Sequence, residues 1–351
     1  MRILLINYAM DDNSPVLAGA AGIARALASK AESVHVLTEQ LGPHQGALNM
    51  TVDVIPRWPC GVPKRFGGGF FVNFQLWRLL KKQQCDVCFI HMAHTWAYRL
   101  APALSGMPVL LWYAHSSVNL SLRLAVLFST AVVSANQESF RLPTKKAQFI
   151  GAAINIGLFQ IPAQRLLEPE ILYIGRISAR KRVLLMLETL VQLRQQEPNI
   201  PWRLKLVGPT LTAEDKTYIA EVDSFILAHG LSSAVQQTGP LSLAELPALY
   251  TAPFLHLNLS ETGSMDKSVM EALAAGCPVL TTNIAFKETL KDEVGMFSSS
   301  ENPANLAAAI VALYHRRHRI NPESLRAIVT KDHDLNSFGE KIIEKLEQLK
   351  H

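Results

Sequence analysis

Residues 262–282 read TGSMDKSVMEALAAGCPVLTT, which is a polar loop followed by a helix and then a strand. Helix formers fill Val269–Ala275, Gly276 supplies a C-terminal stop, and Pro278 cannot continue a helix. The run Val279–Thr281 predicts a strand, so the stretch resembles a crossover of a parallel sheet. The free amides at such a helix start favour an anion, although any crossover could have a similar loop. The candidate ligand contacts in the loop are Gly263, Ser264, Asp266 and Lys267.

Length and composition predict an α/β protein of two domains. The chain has 351 residues, of which 49% are hydrophobic and 18% are charged, which excludes a disordered chain. The longest apolar stretch, Leu120–Ala135, is interrupted by polar residues and is shorter than the roughly 18 apolar residues of a membrane span. The net charge of +5 favours anionic partners such as phosphates or an acidic membrane face, and the dispersed basic residues argue against nucleic acid.

The N-terminal residues and the cysteine content favour the cytoplasm. The first residues, MRILLINYAM, predict a buried strand and lack the build of a secretion signal. Four cysteines are too few for a disulfide framework in a chain of this length. A reducing, cytoplasmic environment is therefore expected.

Strand-like and helix-like segments alternate in the first half, which predicts a doubly wound parallel sheet in an N-terminal domain at residues 1–155. The predicted strands are Ile3–Ile6, Val34–Leu37, Val52–Ile55, Val87–His91, Val109–Trp112, Ala131–Ser134 and Ala147–Ile150. The predicted helices are Pro15–Lys30, Phe70–Gln83 and Thr95–Leu104.

The pattern restarts after a linker at residues 155–169, which predicts a second Rossmann-like domain at residues 165–334. The predicted strands are Glu170–Ile174, Arg203–Val207, Ala234–Thr238, Phe254–Leu257 and Val279–Thr281. The predicted helices are Val183–Gln195, Ala213–His229, Leu243–Tyr250 and Lys267–Ala275. A final amphipathic helix at about 335–351 is expected to pack back on the first domain. Two such sheets would face a cleft, because open α/β sheets bind ligands at the carboxyl ends of their strands.

Basic residues follow the first strand of the second domain. Gly175 allows close approach of a ligand to the backbone, and Arg176 and Lys181 supply positive charge near a helix start. This arrangement suits a diphosphate, whereas the alternative is a solvated basic turn.

The chain resembles the retaining glycosyltransferases of family four, which have the GT-B fold. The resemblance is carried by Gly-Arg with a lysine five residues after the arginine, and by Glu-Ala-x-Ala-x-Gly-x-Pro-Val at residues 271–279. It implies that Arg176 and Lys181 neutralise the diphosphate of a nucleotide-sugar donor and stabilise the leaving nucleotide. It also implies that Glu271 accepts hydrogen bonds from ribose, and that the backbone amides of Lys267, Ser268 and Val269 contact phosphate or sugar. No metal and no other cofactor is expected.

One position departs from the family pattern. The family places a first glutamate eight residues before the second, and Gly263 stands there in this chain. Glu261 and Asp266 are the acidic candidates to replace it. The acceptor implied by the resemblance is a saccharide or a lipid-linked saccharide, as in polysaccharide biosynthesis.

Histidines follow two predicted strands of the first domain. His115 and then His94 are candidate catalytic residues that could hold a sugar hydroxyl or orient the acceptor, with a structural role as the alternative. A zinc site is disfavoured, because side chains on a strand alternate faces and a three-residue spacing cannot converge on one metal. The residues with that spacing are Cys85, Cys88, His91 and His94.

One predicted helix has a face that mixes aromatic and basic side chains. This face could dock on anionic lipid at the inner side of the plasma membrane, whereas the alternative is an ordinary helix packed on both sides. Its residues are Phe70, Phe71, Phe74, Arg78, Lys81 and Lys82.

Two other functions remain open at this point. The altered first glutamate motivates a non-catalytic protein that binds sugar nucleotides. The paired Rossmann pattern also suggests a dinucleotide-dependent oxidoreductase, which is disfavoured because the segment after the first strand lacks the Gly-x-Gly-x-x-Gly turn.

Overall fold

The computed structural model describes residues 1–14, 19–55, 77–78, 84–91, 100–261 and 263–350. These residues form two compact units. Unit 1 comprises Met1–Asn155 and Asp332–His351, and unit 2 comprises Ile156–Lys331. Unit 2 begins before residue 165 because Arg326 donates hydrogen bonds to the carbonyls of Ile156 and Phe159, which ties the linker to this unit.

The described strands of unit 1 form one parallel sheet. They are β1 (Arg2–Met10), β2 (Ser33–Leu41), β3 (Met50–Val54), β4 (Val87–His91), β5 (Val109–Trp112), β6 (Ala131–Ser134) and β7 (Ala147–Phe149). Their order is β3-β2-β1-β4-β5-β6-β7, and neighbouring strands are parallel. Every residue of β4 and β5 is buried, as expected for a sheet covered on both faces.

The described strands of unit 2 form a second parallel sheet. They are β8 (Glu168–Ile174), β9 (Arg203–Val207), β10 (Val235–Gly239), β11 (Pro253–Asn258) and β12 (Val279–Thr281). Their order is β10-β9-β8-β11-β12. The order reverses between β8 and β11, which is where open α/β sheets bind ligands.

Helices cover both sheets. They are α1 (Gly19–Ala28), α2 (Leu100–Leu104), α3 (Leu120–Leu127), α4 (Val183–Gln196), α5 (Ala213–Ala228), α6 (Lys267–Ala274), α7 (Pro303–His315), α8 (Pro322–Asp332) and α9 (Leu335–Lys350). Short 3-10 helices lie at Ala179–Lys181, Leu246–Tyr250, Ile284–Phe286 and Arg317–Arg319.

The last helix, α9, packs on unit 1. Glycines allow α9 and α1 to lie close together, because a Cβ at Gly339 would lie 3.1 Å from the Cβ of Ala26. Phe338 is buried and makes an edge-to-face contact with Trp112 of β5, with ring centroids 4.9 Å apart. The backbone of Ile154 also pairs with Asp334. The C-terminal segment therefore completes the core of the first unit.

Most predicted elements are confirmed, and several strands have the predicted bounds. The identical strands are Val87–His91, Val109–Trp112, Ala131–Ser134, Arg203–Val207 and Val279–Thr281. The predicted helix at Leu243–Tyr250 is wrong, because these residues form a shorter 3-10 helix, Leu246–Tyr250, with a proline near its start. The sequence reading also missed α3, α7 and α8. The long apolar stretch divides into α3 and β6, and the Asn119 side chain caps α3 by accepting a hydrogen bond from the Leu122 amide.

Some predicted segments lie partly or wholly outside the described residues. The helix expected at Pro15–Lys30 is seen as Gly19–Ala28, and that expected at Thr95–Leu104 is seen as Leu100–Leu104. Only Trp77 and Arg78 of the helix expected at Phe70–Gln83 are described. None of the helices in the described ranges has the length and apolar character needed to cross a bilayer.

Candidate functional site

The carboxyl ends of β8 and β9 meet through their backbones. Gly208, with φ of +146°, lies so close to Gly175 that a Cβ there would be 1.9 Å from the Gly175 carbonyl oxygen. The Gly175 amide donates to Val207, and the Ile177 amide donates to Pro209, both at 2.9 Å. This close contact holds the loop after β8 against the loop after β9.

Arg176 is anchored by an aspartate that sequence reasoning did not identify. Its Nε lies 2.6 Å from Asp215 Oδ2, and its Nη2 lies 3.0 Å from Asp215 Oδ1. The arginine carbonyl accepts a hydrogen bond of 2.8 Å from the Tyr173 hydroxyl. Two-pronged pairing of guanidinium and carboxylate fixes both position and orientation.

Asp215 is itself held by the start of α5. Its Oδ2 accepts hydrogen bonds from the amides of Leu211 and Thr212, at 2.8 and 3.0 Å, and its amide donates to the Thr212 hydroxyl at 3.2 Å. The Arg176 guanidinium and these amides lower the pKa of the Asp215 carboxyl to about 2. The sequence Thr-Ala-Glu-Asp is a capping-box signal that could have identified the helix start, but it does not reveal the arginine partner.

Lys181 connects two distant parts of the sequence. Its Nζ lies 2.5 Å from Asp266 Oδ1 and 3.3 Å from Ser260 Oγ, both in the loop between β11 and α6. Lys181 ends a 3-10 turn, and the next residue, Arg182, adopts a left-handed backbone with φ of 54° before α4 begins. The predicted cation therefore reaches the loop of the second predicted motif.

A chain of buried polar side chains supports this loop. Asn258 donates to Asp266 Oδ2 at 2.8 Å and accepts from the Thr281 hydroxyl at 3.0 Å. The backbone amide of Asn283 donates to the Thr281 hydroxyl, and the side-chain amide of Asn283 donates to the Ser264 carbonyl at 2.8 Å. Asn258 and Thr281 end β11 and β12, and Asn283 lies just beyond β12. Sequence reasoning missed all three, because no recognisable motif marks these strand ends.

The two acidic candidates for the first glutamate position have different partners. Asp266 pairs with Lys181, and its side chain is 14% exposed. Glu261 pairs with Arg182, which also pairs with Glu301 at 2.7 Å, and the Glu261 side chain is 53% exposed. Asp266 is therefore the less exposed of the two acids, and it lies next to the predicted diphosphate lysine.

The start of α6 lacks a side-chain cap. Asp266 occupies the N-cap position, but its carboxylate is directed to Lys181 and Asn258 and caps no amide. Gly263 has φ of 63°, a conformation that favours glycine, and lets the loop turn into the helix. Ser264 is half-buried and Lys267 is exposed, whereas Val269 is buried. The carbonyl of Ser268 accepts a hydrogen bond from the Tyr250 hydroxyl.

Glu271 lies one turn into α6 and is buried, with 9% of its surface exposed. Burial raises the pKa of its carboxyl to about 7, although the charge of Lys267 opposes this shift. A buried carboxyl that titrates near neutral pH is unusual at an ordinary helix position. Glu271 is therefore not a solvent-exposed carboxylate on the surface of the helix.

The candidate histidines of unit 1 differ in burial. His115 lies three residues beyond β5 and is exposed, with its ring 5.6 Å from that of Tyr113. His91 is buried at the end of β4 beside Trp112. His94 lies outside the described residues, as do Phe70, Phe71, Phe74, Lys81 and Lys82, whereas Arg78 is described and exposed. Within the described ranges, no group of three or more His, Cys, Asp or Glu residues is arranged to hold a metal ion.

Two family models match the chain. "Glycosyl transferases group 1" matches residues 168–316, and "Glycosyltransferase Family 4" matches residues 19–138. The first match contains the whole arrangement around Arg176, Lys181 and Glu271.

Curated relatives match part of the chain. It is 26% identical over 146 residues to D-inositol 3-phosphate glycosyltransferase of Paenarthrobacter aurescens, covering 41% of this chain and 35% of that protein. It is 24% identical over 112 residues to mannosylfructose-phosphate synthase of Agrobacterium fabrum, covering 32% of this chain and 25% of that protein. The chain thus spans about a third or less of the length of these two relatives.

The fold matches a solved structure over nearly its full length. The crystal structure of Anabaena Alr3699/HepE in complex with UDP has a TM-score of 0.78 at 17% identity, covering 99% of this chain and 100% of that chain. At this identity the match concerns the fold, which is GT-B. The two family models, which match residues 19–138 and 168–316, show that the chain belongs to glycosyltransferase family four.

Proposed function

We propose that this protein transfers a sugar from a nucleotide-sugar donor to a hydroxyl of a saccharide or lipid-linked saccharide, with retention of anomeric configuration. One observation carries the proposal beyond family membership. The Lys181 ammonium of the first motif lies 2.5 Å from Asp266, which stands five residues before Glu271 of the second motif. Two motifs that are 80 or more residues apart in sequence thus supply charged groups to one edge of one sheet.

The proposed donor site divides the work among charged side chains and backbone. Arg176 and Lys181 bind the diphosphate and stabilise the charge that develops on the leaving nucleotide. Gly175 lets the diphosphate approach the backbone, and Gly263, Ser264 and the amides of Lys267 and Ser268 contact phosphate or sugar. The Val269 amide is not included, because it already donates to the Asp266 carbonyl. Glu271 accepts hydrogen bonds from the ribose hydroxyls. This scheme requires no metal ion, so turnover should continue in the presence of EDTA.

Asp266 has two tasks in this proposal. In the ligand-free protein it neutralises Lys181, and with donor bound it is the acid nearest to the sugar in place of the first glutamate of the family. A bound diphosphate would share the lysine with this carboxylate, because an ammonium group has three donors. The hydrogen bond from the buried Asn258 side chain keeps Asp266 in position while the diphosphate binds Lys181.

A uridine nucleotide is the first donor to test. The Anabaena protein of the same fold is described in complex with UDP and with UDP-glucose. This supports a UDP-sugar for the present chain, although the residues that contact a base have no sequence signature. Retention would be read from the anomeric signals of the product by NMR, and inversion would contradict the stereochemical part of the proposal.

The acceptor and the location of the enzyme complete the proposal. His115 and His94 would orient the acceptor hydroxyl, and the aromatic and basic residues at 70–82 would hold the enzyme on the inner face of the plasma membrane. Replacing Phe70, Phe71 and Phe74 by serine should reduce sedimentation with anionic vesicles. Unchanged sedimentation would remove the membrane part of the proposal and leave glycosyl transfer untouched.

The central test is nucleotide binding followed by turnover. A panel of UDP, GDP, ADP, TDP and NAD(H) is added to the purified protein, because a ligand that binds only the folded state raises the melting temperature. We expect one nucleoside diphosphate to give a shift, and we expect Arg176→Ala and Lys181→Ala to lower turnover by about 100-fold or more. Lys216→Ala is the matched control, since Lys216 is an exposed cation in the first turn of α5.

The outcomes separate the candidate functions. A nucleoside diphosphate shift without sugar transfer would indicate a non-catalytic binding protein. A shift with NAD(H) alone would indicate a dinucleotide-dependent enzyme. Normal turnover in both Arg176→Ala and Lys181→Ala would contradict the roles assigned to these residues.

A further inference from the structure

The carboxylate of Asp215 accepts hydrogen bonds from the Arg176 guanidinium and from two backbone amides. Its Oδ2 accepts from Arg176 Nε and from the amides of Leu211 and Thr212, and its Oδ1 accepts from Arg176 Nη2. Asp215 is 3% exposed. The carboxylate therefore joins the start of α5 to the side chain of a residue that follows β8.

Arg176 is held on one side only. Nε and Nη2 bind Asp215, and Nη2 also lies 3.4 Å from the Thr212 hydroxyl. Within the described part of the chain, Nη1 has no hydrogen-bond partner, and 40% of the arginine side chain is exposed. The guanidinium group thus has a fixed inner edge and an outer edge that is open to a ligand.

We propose that Asp215 is a positioning residue for the donor diphosphate, which holds Arg176 so that Nη1 faces the ligand. The inference rests on the proposed function, because it takes Arg176 to be a diphosphate contact. An unanchored arginine loses rotamer freedom when it binds a phosphate, and this loss weakens binding. Asp215 already orders the Arg176 side chain in the ligand-free protein, so donor binding costs less side-chain entropy.

The opposite effect of Asp215 is also physically reasonable, which makes the inference testable. A carboxylate that neutralises Arg176 could compete with the diphosphate for the same guanidinium group. In that case, removal of the carboxylate charge would tighten nucleotide binding. Positioning and competition therefore predict changes of opposite sign.

Asp215→Asn separates positioning from helix capping. The asparagine oxygen can still accept from the Thr212 amide, so the start of α5 keeps a cap. The other side-chain atom becomes an NH2 group, which cannot accept from the guanidinium group. Thr212→Ala makes the complementary change, since it removes the capping hydroxyl, with its long 3.4 Å contact to Arg176 Nη2, and leaves both carboxylate bonds to the arginine in place.

The experiment measures by calorimetry the Kd of the nucleoside diphosphate that shifts the melting temperature of the wild-type protein, starting with UDP. We expect Asp215→Asn to raise Kd by about tenfold through the loss of a charge-assisted hydrogen-bond pair. Thr212→Ala should lower the melting temperature and leave Kd nearly unchanged. Glu214→Gln is the charge control, because Glu214 is exposed in the same turn and should change Kd by less than about twofold.

A double-mutant cycle with Arg176→Ala completes the test. If Asp215 acts through Arg176, Asp215→Asn should have no further effect on Kd when the arginine is absent. If Asp215→Asn weakens nucleotide binding equally in the wild-type protein and in Arg176→Ala, the inference is overturned. An unchanged or lower Kd in folded Asp215→Asn would also overturn it. The inference also fails if Thr212→Ala weakens nucleotide binding as much as Asp215→Asn does. In that case, loss of the helix cap would explain the weaker binding of both variants.

The proposed function and this inference can fail separately. If the wild-type protein binds no nucleoside diphosphate, or if Arg176→Ala binds it normally, the assigned diphosphate site is wrong and the inference fails with it. If Arg176→Ala weakens binding and Asp215→Asn does not, only the role of Asp215 is overturned.

Discussion

Glu271 shows how a single buried side chain links stability to ligand binding. Its environment raises the carboxyl pKa to about 7 from the ordinary 4.5. Between these two pH values the folded protein holds a proton that the unfolded chain has lost. Ionisation of Glu271 therefore costs stability, and the cost grows as the pH rises from 4.5 to 7.

We expect Glu271→Gln to be more stable than the wild-type protein at pH 8, by about 3 kcal/mol at most, and equally stable near pH 4.5. Glutamine resembles the protonated acid, so it avoids the cost of burying a charge. The variant should bind the nucleoside diphosphate more weakly, and wild-type affinity should fall as the pH drops below 7. Denaturant unfolding and calorimetry at several pH values measure both effects.

Glu221→Gln is the control for this prediction, because Glu221 is exposed on α5. It should change neither stability nor affinity appreciably. Equal stability of Glu271→Gln and wild type at pH 8 would show that Glu271 is not a buried charge in the ligand-free protein.

The two ends of α6 differ in their hydrogen-bond partners. At its C-terminal end, Arg165 donates to the Gly276 carbonyl, and Arg326 donates to the Ala274 carbonyl at 2.5 Å. These guanidinium groups satisfy carbonyls that have no partner within the helix and offset the negative end of its dipole. The N-terminal end has no side-chain cap, although the Val269 amide donates to the Asp266 carbonyl at 3.2 Å. The helix is thus secured at the end away from the proposed donor.

The contact between the ends of β8 and β9 should be sensitive to a single methyl group. Gly208→Ala would place a Cβ against the Gly175 carbonyl and force a backbone conformation that costs about 1–3 kcal/mol by itself. We expect lower stability and weaker nucleotide binding, since the loop with Arg176 must move. Gly230→Ala is a matched control, because Gly230 also has positive φ but its Cβ would meet no atom within 4 Å. If Gly208→Ala binds nucleotide as tightly as Gly230→Ala does, the contact does not position the site.

The two compact units are not continuous segments of sequence. Unit 1 takes its last helix from the C-terminal end of the chain, after the whole of unit 2. Phe338 of this helix is 1% exposed and packs against Trp112, so the helix belongs to the core. Unit 1 therefore depends on residues that are more than 170 positions away from the rest of its sequence.

We expect Phe338→Ala to destabilise unit 1 by about 3–5 kcal/mol, because it leaves a cavity beneath the sheet. Hydrogen exchange should become faster in α1, β4 and β5, which the last helix covers or contacts. Glu347→Ala, at an exposed position of the same helix, should leave exchange unchanged. Unaltered exchange in Phe338→Ala would mean that α9 does not support the first unit.

Local patterns predicted many of the elements and part of the candidate site. Buried strands such as Val87–His91 and Val109–Trp112 have the predicted bounds, because a short apolar run between turn residues has few alternatives in a parallel sheet. Helices α7 and α8 were missed, although each begins with a proline that follows an asparagine, which is a recognisable helix-start signal. The family resemblance identified Arg176, Lys181 and Glu271, but it could not identify their partners.

Sequence alone was sufficient for the α/β class, the family and the cations proposed to bind a diphosphate, because these depend on short-range periodicity and on motifs within a few residues. Only the folded chain revealed that Asp215 anchors Arg176, that Asp266 rather than Glu261 meets Lys181, and that Glu271 is buried. These contacts join residues 39 to 85 positions apart. They depend on the order of strands in the sheet, because this order determines which loops lie side by side at one edge. It also determines which charged side chains are buried. That order is a property of tertiary packing, and no local pattern in the sequence encodes it.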